Sequence, residues 1–500
     1  MFRLRPAVAA LAVLPALVPA ATAFGQGCDP SDLFETRVNY DAGDRARSVV
    51  MGDLDGDGDP DLAVANLGSN DFSVLLNSGH GTFAPEVRYA HSGNNGFAVT
   101  MGDLDGDGDA DLMTANSTSD NVSVLLNNGD GTFARGVLYD AGDEPRSVAI
   151  GDLDGDGDVD LAVANYRGNS ASVLLNNGDG TFVPRVDYGA GNGAWSMAVG
   201  DLDGDGDGDL ITANDIGDSV SVLLNNGDGT FAPSVPYDVG NGPRSIAVGD
   251  LDGDGAADLV TANFVGDNAS VLLNNGDGTF GARVEYDTPN GPEGVAIGDL
   301  NSDGVPDLAT VNGQASSANR VSVLIGNGDG TFAPRTNYLV GAAPASVAMG
   351  DLNGDGALDL ATANSNGDSV SVLLNRCVAP IITTQPASLL LPAGGGVAEF
   401  GVVAGGTSGF LYQWRRDGVD LVDGGGVSGS MTPTLTIDAT IEDVAAYDVM
   451  VTNVAGDTVS QPGVLAVRPN PCPADFDGDG SLTLFDFLAF QNAFDAGCGG

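Results

Sequence analysis

Carboxylate or amide side chains spaced two residues apart recur seven times along this chain. In the segment DLDGDGDPD, Asp53, Asp55, Asp57 and Asp61 stand at positions 1, 3, 5 and 9. The next four copies place Asp103, Asp105, Asp107 and Asp111, then Asp152, Asp154, Asp156 and Asp160, then Asp201, Asp203, Asp205 and Asp209, then Asp250, Asp252, Asp254 and Asp258. The sixth copy carries Asp299, Asn301, Asp303 and Asp307, and the seventh Asp351, Asn353, Asp355 and Asp359. Oxygen ligands at alternate positions, with a backbone carbonyl from position 7, make a cage for a hard cation. Position 6 is Gly in every copy (Gly58, Gly108, Gly157, Gly206, Gly255, Gly304, Gly356), which permits the sharp turn. Carboxylates held within ~4 Å repel by about 1 to 4 kcal/mol per pair unless a cation separates them. Calcium is therefore the expected cofactor. Asn at position 3 keeps an oxygen but lowers the charge, so the sixth and seventh loops are expected to bind more weakly. No nucleophile and base accompany the cages, so the expected role is structural.

The charge balance follows from these loops. The 500 residues include 69 acidic and 18 basic ones, every basic residue being Arg, for a net charge of −51. The seven loops hold close to half of the acidic residues. Nucleic-acid binding is excluded as a reading, because phosphate contacts need clustered Lys or Arg. A disordered acidic chain is excluded too, because 42% of the residues are hydrophobic and regularly patterned. Residues 1–23 read as a signal peptide: Arg3 and Arg5 precede an apolar run from Ala7 to Ala21, and Ala21-Thr22-Ala23 offers a cleavage site. No other stretch approaches the ~20 apolar residues of a membrane-crossing helix. Secretion to the exterior or cell surface is expected. The four cysteines, Cys28, Cys377, Cys472 and Cys498, suit two disulfides in such a compartment.

The copies begin at Asp53, Asp103, Asp152, Asp201, Asp250, Asp299 and Asp351, a period of about 50 residues that signals a propeller or array. Within the third copy, short strands are expected at Ser147–Gly151, Asp160–Asn165, Ala171–Asn176 and Thr181–Tyr188, with a hairpin signal at Asn177-Gly178-Asp179-Gly180. Four strands per period is one propeller blade. The combination DxDGDGxxDLxxAN with NNGDGTF resembles the FG-GAP/VCBS repeats of integrin-type propellers, over 29–377. That resemblance implies seven blades with calcium in the loop between the first two strands of each. Leu33–Tyr40 reads like a fourth strand and the last copy ends after its third, so the N-terminal strand is expected to complete the seventh blade. Aligned on the NNGDGTF turn, Cys28 and Cys377 fall together, and a disulfide between them would lock the ring of the domain spanning 28–377.

Successive turns of an up-and-down blade alternate between faces. The calcium loops and NNGDGTF hairpins, uniform between copies, therefore share one face; the second turns and blade connections, which vary, share the other. Arg47, Phe97, Arg146, Trp195, Arg244, Glu293 and Ala345 enter the innermost strands from the varied face. Trp195, Phe97, Tyr166 and Phe264 are residue types that stack on sugars, and Arg47, Arg146 and Arg244 types that pair with carboxylate or sulfate. Neutral drift with aromatics covering blade junctions is the competing explanation. An extracellular glycan or surface protein is the expected partner.

From 380 to 468 the repeats give way to short alternating strands, among them Ala398–Val403, Leu411–Arg415, Thr434–Ile437 and Ala446–Asn453. Trp414 in YQWRRDG and the Asp443/Tyr447 pair resemble an immunoglobulin-like sandwich, with Phe400 and Val449 where such domains often carry cysteines. A spacer role is the simplest. In the tail, 470–500, Asp475, Asp477, Asp479 and Asp486 have EF-hand spacing ahead of a Phe-rich segment bracketed by Cys472 and Cys498. This resembles half of a dockerin module, or the dockerin-like tails of exported planctomycete-type proteins, and implies a cohesin-like or sorting partner. The expected fold is thus all-β, a seven-bladed propeller and a sandwich, with a small helical tail. Only His80 and His91 are present, and no acidic pair is left unexplained, so a non-enzymatic adhesion or recognition protein is expected. The alternatives are an extracellular polysaccharide-acting enzyme on a propeller scaffold and a ligand-free scaffold.

Overall fold

The computed structural model describes residues 28–313, 319–392, 395–440 and 443–467. The expected signal peptide and the tail with its Asp475–Asp486 loop, Cys472 and Cys498 lie outside the described residues. No α-helix occurs among the described residues.

Seven four-stranded antiparallel sheets form the blades. In blade 1 the strands are Ala46–Gly52, Asp61–Asn66, Asp71–Leu75 and Val87–Ala90, ordered from the axis outward. All six residues of the second strand are buried, in this blade and its six counterparts, because neighbouring blades cover both faces. That double burial explains the continuous apolar run of DLAVAN. The outermost strands are short and mostly exposed, as suits sheet edges.

The N-terminal segment closes the ring. Val38–Asp41 pairs antiparallel with Ser369–Leu373, completing blade 7, and Phe34 bridges Asn375 as Phe83 bridges Asn77 in blade 1. Cys28 and Cys377 form a disulfide across this closure. Each blade junction carries one Tyr–Phe edge contact, from Tyr40–Phe83 around to Tyr286–Phe332 and Phe34–Tyr338.

Strand limits differ from the sequence expectation in one consistent way. In blade 3 the fourth strand is Val186–Gly189, not Thr181–Tyr188, and Phe182 contributes only a bridge to Asn176. The reason is the tight NNGDGTF turn, whose glycines at 178 and 180 have φ of 77° and 70° and turn the chain away before pairing resumes. The innermost strand begins earlier than expected, at Pro145, because a bulge extends it.

After the propeller, two sheets face each other. One joins Leu389–Leu391, Gly463–Val467, Ala445–Asn453, Leu411–Arg416 and Val419–Asp420; the other joins Gly396–Gly401, Thr434–Ala439 and Val427–Ser428. Trp414, Tyr447, Phe400 and Val449 are fully buried between them. The Tyr447 hydroxyl donates to the Asp443 carbonyl at 2.9 Å, and Trp414 Nε1 donates to the Thr432 carbonyl at 2.9 Å. The connection is short and bonded: Val378 N–H donates to Thr407 Oγ1, Asn453 Nδ2 donates to the Val378 carbonyl, and Ala455 packs with Cys28 and Cys377.

Candidate functional site

Each acidic loop is wound around its first aspartate. Asp53 Oδ1 accepts from Gly56 N–H at 2.8 Å and Oδ2 from Gly58 N–H at 3.0 Å. Asp103, Asp152, Asp201 and Asp250 repeat this pattern. Gly58 holds φ at 91°, so the position-6 glycine is required by the backbone. The turn gathers carboxylates: Asp53/Asp55/Asp57, Asp103/Asp105/Asp107, Asp152/Asp154/Asp160, Asp201/Asp203/Asp209 and Asp250/Asp252/Asp254 each bring three ligand oxygens within 4.8 Å of one another.

Position 9 is the buried member. Asp61 Oδ2 accepts from Leu54 N–H at 2.9 Å and Oδ1 from Asn77 N–H at 2.7 Å, tying the loop to the NNGDGTF-type hairpin. Asp111, Asp160, Asp209, Asp258, Asp307 and Asp359 do the same with their own loops, six of the seven reaching the hairpin Asn and Asp307 reaching Gly326. Burial pushes Asp61, Asp111, Asp160 and Asp209 up to about 6, and Asp307 and Asp359 up to about 7. At position 3, Asp55, Asp105, Asp154 and Asp203 are also raised, first by burial and then by neighbouring carboxylates.

The oxygens fit a hard divalent cation. Asp105 Oδ1 and Asp203 Oδ1 are buried with no hydrogen-bond partner among the described residues, and both belong to the gathered trios. A buried carboxylate oxygen without a donor is costly, and a cation would relieve it together with the repulsion. A bound ion would supply positive charge at these oxygens. In the sixth loop Asn301 closes differently: its Nδ2 donates to Asp303 Oδ2 at 2.9 Å and its carbonyl accepts from Cys28 N–H at 3.3 Å. In the seventh, Asn353 Oδ1 accepts from Asp355 N–H at 3.0 Å.

Two sets of residues missed by the sequence reading hold the blades in register. The first Asn of each hairpin bonds two loops at once: Asn127 Nδ2 donates to the Leu54 carbonyl of blade 1 at 2.9 Å and the Ala110 carbonyl of blade 2 at 3.0 Å. Asn77, Asn176, Asn225, Asn274 and Asn375 repeat it, and Gly326 alone replaces it. On the opposite face, Asn70, Asp120, Asn169, Asp218, Asp267, Asn319 and Asp368 each accept a backbone N–H from the next blade connection. The signal was available: within otherwise varied turns, this position is always Asn or Asp.

The residues entering the innermost strands converge on the axis. Arg47, Phe97, Arg146, Trp195, Arg244, Glu293 and Ala345 are the residues skipped by a register shift in every innermost strand. A bulge re-aims a side chain, and here it turns seven of them inward around one cavity of about 170 Å³. The Arg146 guanidinium carbon lies 3.7 Å from the Tyr166 ring centre and 3.9 Å from that of Trp195. The Arg244 guanidinium carbon lies 4.3 Å from the Trp195 ring centre and 3.4 Å from that of Phe264. Arg146 is paired with Glu144, and Arg244 with Asp215 and Glu293. Trp195 is only 9% exposed. The expected stacking faces are thus largely occupied by the protein's own guanidinium groups. His91 is fully buried against Phe72.

No curated protein matches the chain. Among solved structures, titin domain M4 matches at 23% identity over 18% of this chain and 96% of that one, with a TM-score of 0.17. Titin domain M3 matches at 26% identity over 18% of this chain and 97% of that one, with a TM-score of 0.16. A functionally unknown protein from Desulfotomaculum acetoxidans matches at 10% identity over 63% of this chain and 98% of that one, with a TM-score of 0.45. The FG-GAP-like repeat matches residues 53–114, 103–163, 152–212, 201–261, 257–310 and 311–362. These spans take in more than half of the sequence and carry the acidic loops and buried second strands described above, and the chain belongs to the FG-GAP-like repeat family.

Proposed function

We propose that this is a secreted, calcium-stabilised recognition protein that binds an extracellular ligand through the varied face of its propeller. The observation that carries the reading is the division of labour between faces. One face repeats the same carboxylate trios and hairpins, five times with three oxygens in mutual reach. The other keeps one Asn or Asp latch per blade and varies around it, exposing Arg167, Ile216 and Val265 on adjacent blades. Calcium on the first face fixes the blades that present the second. The ligand is an extracellular glycan or surface protein, in an adhesion role.

The sandwich at 380–468 is read as an immunoglobulin-like spacer, supported by buried Trp414 and by the Tyr447 hydroxyl bonded to the Asp443 carbonyl. The tail is read as the attachment element, through a cohesin-like or sorting partner. A glycan array probed with the full chain in calcium and in chelator tests the reading. Binding in calcium alone supports it. Binding that is equal in both conditions, or absent from glycans and cell surfaces alike, contradicts it.

A further inference from the structure

We propose that the axial mouth of the varied face is a seat for one carboxylate or sulfate group of an acidic glycan, built by Arg47 and Arg244 and filled in the resting chain by Glu293. This rests on the recognition reading and narrows it to a position, a chemistry and an internal competitor.

Three guanidinium groups enter the mouth, and they are not equivalent. Arg146 is sandwiched between Tyr166 and Trp195 and paired with Glu144 of its own blade connection. It is a strut. Arg47 and Arg244 come from blades 1 and 5 and converge on the same carboxylate: Glu293 Oε2 lies 2.7 Å from Arg47 Nη1, and Oε1 lies 3.2 Å from Arg244 Nη1. Glu293 belongs to blade 6. It reaches Arg47 across blade 7, whose residue at the same position is Ala345, the smallest of the seven. A larger side chain there would block the path.

The occupied seat is incompletely bonded. Arg47 is 14% exposed and makes its ion pair with Glu293 but no hydrogen bond among the described residues. Glu293 Oε2 is buried and receives no aligned N–H. A guanidinium offers five N–H groups in a planar fork that matches an oxyanion bidentately, and Arg47 uses this fork poorly. Its orientation is nonetheless fixed, with the guanidinium carbon 4.6 Å from the Phe97 ring centre, while Arg244 is held between Trp195 and Phe264. Stacking fixes both guanidinium planes; Arg47 keeps its N–H edge for an anion, while Arg244 gives Nε to Asp215 and meets the anion through Nη1.

The size and lining of the cavity favour a sugar acid. About 170 Å³ holds roughly six waters at ~30 Å³ each, room for one sugar ring and not for a folded partner. Ser48, Ser147, Ser196, Ser245 and Ser346 line it. Ser147, Ser245 and Ser346 accept a backbone N–H from Met197, Val295 and Val49, which leaves each O–H free to donate to a ligand hydroxyl. An incoming carboxylate or sulfate displaces Glu293 from the two guanidinium groups, and the sugar hydroxyls meet the serine ring. Exchange of one anion for another is nearly balanced, so Glu293 holds affinity down and rejects neutral sugars.

The test is calorimetric titration of the full chain in calcium with trigalacturonate, a sulfated galactose trisaccharide, neutral galactotriose and a Glu-rich peptide. Wild type is compared with Glu293→Gln and Arg47→Ala, each checked for an unchanged melting profile. Glu293→Asp serves as a second variant if Gln impairs folding, since the shorter carboxylate withdraws from Arg47. The expected result is that Glu293→Gln tightens an acidic trisaccharide at least ~10-fold, about 1.4 kcal/mol, leaves galactotriose unchanged, and that Arg47→Ala abolishes acidic binding. The carboxylate and sulfate arms identify which group is preferred. Equal affinity in wild type and Glu293→Gln overturns the seat, as does a gain confined to the peptide. Calcium-dependent glycan binding that survives Arg47→Ala also overturns the seat while leaving the recognition reading standing. No glycan binding by any form overturns both.

Discussion

Phe34, from the N-terminal segment that completes blade 7, meets Tyr338 of blade 6 edge-on, with ring centroids 5.0 Å apart. Tyr89 and Phe133 make the same contact, at 5.3 Å, inside the uninterrupted chain. The Tyr338 hydroxyl donates to the Pro30 carbonyl, much as Tyr89 donates to Gly131. Closure therefore reproduces an ordinary blade junction with residues from the N-terminal segment, and the Cys28–Cys377 disulfide is added to it.

Opening the closure should cost the whole ring. Phe34 is buried at 5% exposure, and Phe34→Ala is expected to lose about 3 to 5 kcal/mol. Replacing Cys28 and Cys377 with Ser should cost on the order of 5 kcal/mol on the unfolded-chain entropy account. Urea midpoints of both variants check this. Exposed Val38, from the adjacent outer strand, should be nearly silent when changed to Thr.

The hairpin asparagines give a paired comparison. Asn127→Ala strands the buried Leu54 carbonyl and the half-buried Ala110 carbonyl, at about 1 to 3 kcal/mol. Its exposed neighbour Asn128, bonded only within the hairpin to Thr132, should lose less than about 0.5 kcal/mol. Equal losses in chemical denaturation would remove the latch from the account.

Acid should weaken the junction between blades 1 and 2 through His91. Both ring nitrogens are buried without partners, and burial lowers its pKa to about 4, with Asp71 opposing. The unfolded chain takes up the proton near 6.5, so this residue's penalty appears as pH falls below 6.5 and is complete below 4. Val239 and Val340 occupy the same place in other blades. The stability of His91→Val relative to wild type should therefore rise by on the order of 2 kcal/mol between pH 7 and 4.5. A flat difference would contradict it.

The metal-free loops should show the opposite trend. Burial raises Asp61, Asp111, Asp160 and Asp209 to about 6, and Asp307 and Asp359 to about 7. The folded chain holds protons that the unfolded chain releases near 4. Stability from these groups is thus full below about 4 and lost as pH rises through 6 to 7. In chelator, the melting temperature should be higher at pH 5 than at pH 7.5. Calcium, which favours the ionised carboxylates, should flatten or reverse that difference.

Much of this was legible in the sequence because the repeat compares the chain with itself. Position-6 glycines, closure by Leu33–Tyr40 and the pairing of Cys28 with Cys377 followed from aligning the copies, and the structure shows β pairing at Val38–Asp41 and the disulfide. The direction of Arg47, Phe97 and Trp195 did not. Regular alternation gives no hint of a bulge that skips one residue per innermost strand, so residues expected to display themselves instead pack against one another at the axis. Asn127 was hidden differently: its motif was already accounted for as a hairpin turn, and only the neighbouring blade reveals its second bond.

The most direct test of the central claim is a calcium titration of the chelator-treated full chain, followed by calorimetry and thermal melting at pH 7.5. Saturable uptake of at least five ions per chain is expected, one for each carboxylate trio, with a melting temperature that rises by several degrees or more as they bind. No uptake, or uptake that leaves the melting temperature unchanged, would contradict it.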